Sequence, residues 1–116
     1  MEIFRFDRDE HPISAHGSMG LHATRIASGD DGVTVTCLSV LPGGTIGTHP
    51  TTGDQLFLVI AGSGWVAGAD GIRLPVQAGE GARWAAGEVH TSGADTSLTA
   101  LAVEGSSLRL FEPEHS

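Results

Sequence analysis

The sequence predicts an all-β domain built from short antiparallel strands, arranged as a sandwich or a barrel. Short apolar segments recur at regular intervals along the 116 residues, and glycine-rich turns separate nearly all of them. The chain has 17 glycines, and the stretches between them are filled by Leu, Val and Ile, so the glycines indicate turns in a folded protein. Signals for helices are almost absent.

The length of the chain predicts one domain, residues 1–116, because it is too short for a second apolar core. Within it we expect an N-terminal strand and arm over residues 1–20 and the main body over about 32–104. Residues 8–20 are polar and include Pro12 and two histidines, which favours a surface arm or irregular loop. His11 and His16 in this segment, and His115 near the C-terminus, are predicted to be solvated.

The charge of the chain excludes a polyanionic partner. Six basic residues stand against 14 acidic ones, giving a formal charge of -8, which a nucleic-acid backbone would repel. The longest apolar run, residues 56–61, is far short of the roughly 20 residues needed to cross a bilayer. Cys37 is the single cysteine and the N-terminus lacks a signal-peptide pattern, so we expect no membrane association and a cytoplasmic location.

Individual segments fit this fold class. In "GVTVTCLSVL" the residues alternate between two faces, and both faces become apolar towards the end, as expected of a strand that is first half-exposed and then covered on both sides. The stretch "GADG" joins "GWVA" to "IRLPV" and centres on Asp70 and Gly71, a dipeptide that tolerates the positive φ angles of a hairpin turn. We therefore predict a hairpin there.

Two later segments have a distinctive spacing of glycine, histidine and polar residues. The residues concerned are Gly43, His49, Thr51, Gln55 and Gly62 in the first segment, and Gly79, Ala85, Gly87 and His90 in the second. This spacing resembles the two conserved motifs of the cupin family over residues 32–104. The resemblance implies a cupin-like double-stranded β-helix, or jelly-roll, barrel.

In the cupin family the first motif supplies two histidines and a glutamate, and the second supplies a third histidine. Carried over to this chain, the resemblance implies His49, Gln55 and His90 as metal ligands, with Thr51 in place of the second histidine and Gln55 in place of the glutamate. This set lacks an anionic ligand, so we expect a divalent ion that is weakly bound or absent. The sequence does not distinguish Zn, Fe, Mn, Ni and Cu. Asp54 is the nearest carboxylate, but strand alternation puts it on the face opposite to Gln55.

The spacing also has a physical meaning that is independent of the family. Two antiparallel hairpins, each with a histidine at a strand end, can direct two imidazoles to one interior point, where a metal or a substrate would bind. Four further residues are predicted to line a pocket for the substrate: Phe57, Trp65, Trp84 and Thr51. For the two tryptophans, packing in the core is an equally good interpretation.

These features predict a small barrel that binds a small organic molecule in its interior. One hypothesis is a metal-assisted enzyme of the dioxygenase, isomerase or cyclase type using His49, Gln55 and His90. His49 or His90 would serve as the catalytic base if no metal takes part. The alternative is a non-catalytic binding or sensor protein with a relic metal site. The family implies a homodimer formed by sheet packing or strand exchange.

Overall fold

The computed structural model describes residues 1–5 and 11–110. Within them it has nine β-strands and one 3-10 helix: β1 His11–Ile13, the helix Ala15–Gly17, β2 Met19–Ser28, β3 Thr34–Pro50, β4 Asp54–Ala61, β5 Ser63–Ala67, β6 Leu74–Gln77, β7 Gly81–Trp84, β8 Val89–Ala94 and β9 Leu98–Gly105. No helix in this part of the chain is long and apolar enough to cross a membrane. The predicted all-β class is confirmed.

Every strand pair in the described residues is antiparallel, and the strands form one continuous hydrogen-bonded sheet. Its order is β6-β5-β8-β3-β9-β4-β7, with β2 also paired to β3 and β1 added on the outer edge of β2. Consecutive strands are often not neighbours, which is the pattern of a sheet rolled into a jelly-roll barrel.

Strand β3 joins the two halves of this barrel. Its first half, residues 34–40, pairs with β2 on one side and with β9 on the other. Its second half, residues 45–50, pairs with β8, and a register shift lies between Ile46 and His49. The strand thus passes from one wall to the other. The expectation that it becomes covered on both faces is wrong at Leu41, which is 54% exposed beside the buried Val40.

The core fills the interior of the barrel. Phe57, Val59, Leu98 and Ala100 are almost completely buried and alternate with half-buried or exposed neighbours along β4 and β9. Burying a large apolar side chain contributes about 1.5–3 kcal/mol each. These contacts hold β4 against β9 and fix the direction in which Gln55, on the same face of β4 as Phe57, must point.

The predicted hairpin at "GADG" is confirmed between β5 and β6, with Ser63 opposite Gln77. Its turn closes with a hydrogen bond from the Gly71 amide to the Gly68 carbonyl, 3.1 Å, and the Asp70 carboxylate accepts from the Ile72 amide. Positive φ occurs at Gly71 only, at 72°. The turn is therefore stabilised by the Asp70 side chain and by the left-handed conformation of Gly71. It does not have the two consecutive positive φ angles of a type I′ turn.

Residues 11–20 contain a strand, as expected within the N-terminal residues 1–20, and most of them are exposed, but they do not form an irregular loop. His11–Ile13 forms β1 on the edge of β2, and the helix Ala15–Gly17 packs against β3. The polar composition of this segment does not indicate regular structure, because β1 is an exposed edge strand without a buried apolar face. Residues 6–10 and 111–116, which include His115, lie outside the described residues.

Candidate functional site

His49 and His90 come from the two motif segments and meet across a strand pair. His49 lies near the end of β3, His90 near the start of β8, and the two residues are direct cross-strand partners. Their ring centroids are 4.3 Å apart and their planes are tilted by 58°. The sequence-based expectation that two distant hairpins bring these imidazoles together thus agrees with the structure.

His90 is the more deeply buried of the two histidines, with 2% of its surface exposed. Burial lowers the pKa of His90, the nearby His49 ring lowers this pKa further, and the Glu88 carbonyl and carboxylate oppose both effects. One face of the ring stacks on Trp84, with centroids 4.2 Å apart and planes 24° apart. The site therefore holds His90 as a neutral imidazole in a fixed orientation.

Both histidines are anchored through their Nδ1 atoms. His49 Nδ1 lies 2.7 Å from the Gly47 carbonyl oxygen, and His90 Nδ1 lies 3.4 Å from the Glu88 carbonyl oxygen. A carbonyl oxygen only accepts, so in a neutral ring Nδ1 carries the proton in these contacts. Nε2 is then the unprotonated nitrogen of each ring and acts as an acceptor.

Gln55 adds a third acceptor. It is 6% exposed, and its Oε1 atom has no hydrogen-bond partner among the described residues. Gln55 pairs with Trp84 of β7 on one side and with Glu104 of β9 on the other, so all three side chains point to the same face of the sheet. An unsatisfied buried acceptor costs about 1–3 kcal/mol, which a ligand that donates a hydrogen bond would recover.

These residues line one cavity of about 320 Å³ inside the barrel. Its walls are mainly apolar and come from β2, β3, β4 and β9, with the aromatic rings of Phe57 and Trp84 at the inner end. The exposed residues of its lining, which mark the mouth, are Ala15, His16, Arg25 and Glu104. The size and lining are those of a site for a small organic molecule.

His16 is a site residue that sequence analysis placed in solvent. Its ring stacks on His49 with centroids 4.7 Å apart and planes 13° apart. The backbone of His16 has a positive φ of 59°, and Ser18 Oγ accepts a hydrogen bond from the Gly47 amide, so the short helix is tied to β3. Only this tertiary contact brings His16 to the cavity, and nothing in the polar segment itself indicates it.

Two residues predicted for the pocket lie elsewhere. Thr51 is buried in the turn before β4, where its hydroxyl donates to the Ala85 carbonyl at 2.8 Å and its backbone bonds to Gly87 and Glu88. Trp65 lies over Gly93, and the Arg73 guanidinium is 3.8 Å from its ring centroid. Neither is part of the cavity wall, whereas Phe57 and Trp84 are. Gly64 and Val66 take the buried positions of β5, so alternation directs Trp65 to the other face.

Asp54 points away from the cavity, as strand alternation predicts. Its carboxylate accepts from the amides of Ala86 and Leu108 and contacts Arg83 at 3.4 Å. This residue ties the turn after β7 to the segment after β9. It is therefore not available to replace the missing carboxylate of the first motif.

Comparison with solved structures identifies the architecture. A predicted oxalate decarboxylase from Thermotoga maritima superposes with a TM-score of 0.80 at 21% identity, over 91% of this chain and 100% of that one. The polyketide cyclase RemF from Streptomyces resistomycificus gives 0.77 at 21%, over 92% and 80%. A cupin superfamily protein from Desulfitobacterium hafniense gives 0.70 at 14%, over 91% and 100%. The chain has the cupin fold.

The cupin fold is thus established by structural similarity, as the motif spacing predicted. The sequence itself matches no protein-family model and no curated protein. At these identities the similarity extends to the fold, and the chemistry of the site has to be argued from the residues of this cupin barrel.

A metal ion is the cofactor that the cupin fold implies, and the donor set here does not fit a tightly held one. Among the described residues, no group of three or more His, Cys, Asp and Glu side chains is placed to hold a metal. His49, His90 and Gln55 are neutral donors, and Thr51 has already committed its hydroxyl to Ala85. Without an anionic ligand such a set binds divalent cations weakly. The predicted weak or absent metal stays a prediction.

Sequence analysis also did not predict two charged residues that line the mouth of the cavity. Arg25 lies on β2 and Glu104 on β9, and both line the cavity. In each strand an alternating apolar series ends at the charge: Leu21, Ala23, Arg25 on β2 and Leu98, Ala100, Ala102, Glu104 on β9. A charge that ends an inward-facing apolar series is the signal that could have identified the mouth of the barrel.

Proposed function

We propose that this cupin barrel binds a small, largely apolar organic molecule that donates a hydrogen bond at the inner end of the cavity. The observation that carries the proposal is the buried Oε1 atom of Gln55, which has no hydrogen-bond partner in the described part of the chain. Gln55 is the strand partner of Trp84, on which His90 stacks. Together with the Nε2 atoms of the two anchored imidazoles it gives a site that accepts hydrogen bonds. A hydroxyl or N–H group of a ligand complements it.

The cavity walls favour a planar apolar body for this ligand. Phe57 and Trp84 are in tilted ring contact, with centroids 5.9 Å apart, and His90 stacks on Trp84. Aromatic and apolar walls with a few convergent polar groups are typical of small-molecule sites. A phenol matches both the walls and the acceptors.

A matched pair of probes tests this proposal. We expect 4-ethylphenol to bind about fivefold more tightly than its methyl ether, because the ether cannot donate a hydrogen bond. Binding is followed by the NMR signals of the Trp84 indole and the His90 ring. The variant His90→Phe should lose the preference for the phenol, and His11→Phe, on the exposed strand β1, should keep it. Equal binding of both probes, or shifts confined to residues outside the cavity, would contradict the proposal.

Proton transfer by His90 is a second candidate function, favoured by its burial and lowered pKa. A neutral imidazole with Nδ1 held by a carbonyl can accept a proton at Nε2 from a bound hydroxyl or an acidified carbon. This is the part of the isomerase or cyclase hypothesis that needs no metal. Any such activity should fall as the pH drops through the pKa of His90 and should be absent from His90→Phe.

We also propose that the chain forms a homodimer. Large apolar side chains on its surface support this, among them Ile3, Phe4, Met19 and Leu41. Large exposed apolar side chains lose contact with water when two copies associate, which favours association. Sedimentation should give a mass of twice the 11.9 kDa chain, and a monomer at micromolar concentration would contradict this proposal.

A further inference from the structure

Arg25 is a cation at the mouth of the cavity. It lines the cavity from β2 and is exposed, and no described residue forms a hydrogen bond or ion pair with its guanidinium. Two other arginines do have partners, since Arg83 binds Asp54 and Arg73 stacks on Trp65. Although the chain has 14 acidic residues, none of the described ones pairs with this arginine, so its guanidinium is available to an anion that enters the cavity.

The sheet register fixes where Arg25 lies relative to the inner end. Arg25 is opposite Thr36, Thr36 is opposite Ala102, and Ala102 is opposite Phe57. Directly opposed residues point to the same face, so these side chains form one row across the interior. At about 4.8 Å per strand the row spans about 14 Å, and the arginine side chain reaches back over part of it. The remaining distance accommodates one aromatic ring with a short substituent.

Glu104 gives this arrangement a direction. It lies in the next row, opposite Gln55 on β4 and opposite Thr34 on β3. The β9 side of the mouth is therefore anionic and adjoins the acceptor Gln55, while the β2 side is cationic. A ligand with a negative group is repelled from Glu104 and attracted to Arg25.

We propose that the ligand of this barrel is a small organic acid, whose carboxylate binds Arg25 at the mouth while its hydrogen-bond donor meets Gln55 and the histidines inside. The inference rests on the proposed function and extends it by naming the charge and orientation of the ligand. An arginine suits this role because its guanidinium can hold a carboxylate through two parallel N–H donors. Arg25 would thus determine specificity, and the acceptors at the inner end would hold the neutral part of the molecule.

Three acids and their amides test the inference: benzoate, phenylacetate and 4-hydroxyphenylacetate, each beside the uncharged amide of the same shape. Affinities are measured by NMR titration of the full chain at low salt. We expect the wild-type protein to prefer the best-bound acid over its amide about tenfold. Arg25→Gln should bring that ratio close to one, and Arg25→Lys should keep part of it.

The control variant is Arg109→Gln, which removes the same charge from an exposed arginine outside the cavity and should leave the ratio unchanged. Since Arg25 is exposed, we expect its variants to fold. The ratio of acid to amide affinity in the wild-type protein is in addition a test that needs no variant. Equal affinities for acid and amide in the wild type, or an unchanged ratio in Arg25→Gln, would overturn this inference and leave the proposed function standing. If none of the six compounds binds the wild-type cavity while 4-ethylphenol does, this inference is overturned and the proposed function stands; if 4-ethylphenol does not bind either, both are overturned.

Discussion

His49 and His90 are direct cross-strand partners on β3 and β8, with ring centroids 4.3 Å apart. Because the two rings lie so close together, a charge on His49 disfavours a proton on His90 and lowers the pKa of His90. The buried member, His90, also loses hydration when it is charged. The pair therefore favours at least one neutral imidazole at the inner end of the cavity.

The first prediction concerns the pH dependence of stability. His90 has a lowered pKa in the folded chain, whereas in the unfolded chain it binds a proton near the ordinary value of about 6.5. Between the two values the unfolded state binds more protons, so the free energy of unfolding should decrease as the pH falls through this interval. NMR titration of the His90 ring gives its pKa directly. A His90 pKa at or above the ordinary value would refute this prediction, and His90→Phe should lack this contribution to the pH dependence.

The second prediction concerns metal binding. We expect the purified wild-type chain to lose any divalent ion on dialysis against a chelator, because its two imidazoles and one carboxamide carry no negative charge. Gln55→Glu places a carboxylate beside the same imidazoles and should raise the affinity for Co²⁺ by about tenfold or more. Calorimetry and the visible absorption of Co²⁺ measure this. Gln55→Met is the control and should bind no better than wild type. If the wild type retains a stoichiometric metal ion through dialysis, these neutral ligands bind divalent ions tightly and the prediction is wrong.

That Gln55 points into the cavity was predictable from local patterns, whereas the meeting of His49 and His90 across β3 and β8 was predicted from the spacing of the two cupin-like motifs. Glycine turns set the lengths of the hairpins, and alternation along β4 decides that Gln55 points inwards while Asp54 points outwards. Both patterns can be read within a few residues of the side chain concerned. The same logic predicted that Phe57 faces the interior.

The positions of His16, Trp65 and Thr51 depend on contacts between segments that are distant in the chain. His16 reaches the cavity because Ser18, which follows the short helix, accepts a hydrogen bond from the amide of Gly47, 29 residues after Ser18. Trp65 covers Gly93, whose missing side chain leaves room for the indole only once β5 pairs with β8. Thr51 is drawn into the turn at Ala85 instead of facing the cavity. Local sequence carries no information about these pairings.

The third prediction concerns the contact that holds His16 over His49. A Cβ atom at Gly47 would overlap the carbonyl oxygen of His16, which is backbone and cannot rotate away. Gly47→Ala should therefore displace the short helix, separate the two rings and lower the free energy of unfolding by about 1–3 kcal/mol. Urea denaturation and the ring-current shifts of His16 and His49 report these effects. The exposed neighbour Thr48→Ala serves as the control. If His16 and His49 still stack in Gly47→Ala, the His16 carbonyl does not approach residue 47 as closely as described, and the prediction is wrong.

The last prediction separates stability from binding at Gln55. Its buried Oε1 atom has no partner in the described residues, so replacing the carboxamide with an apolar side chain of similar length removes an unsatisfied group. Gln55→Met should raise the free energy of unfolding by about 1 kcal/mol and at the same time abolish the preference for 4-ethylphenol over its methyl ether. Gln77→Met, on the exposed strand β6, should change neither quantity. Urea denaturation and the NMR titration measure the two effects in the same samples. If Gln55→Met destabilises the chain and keeps the preference for the phenol, Gln55 is a structural residue whose carboxamide is satisfied within the fold, and the acceptor site has to be sought at the histidines alone.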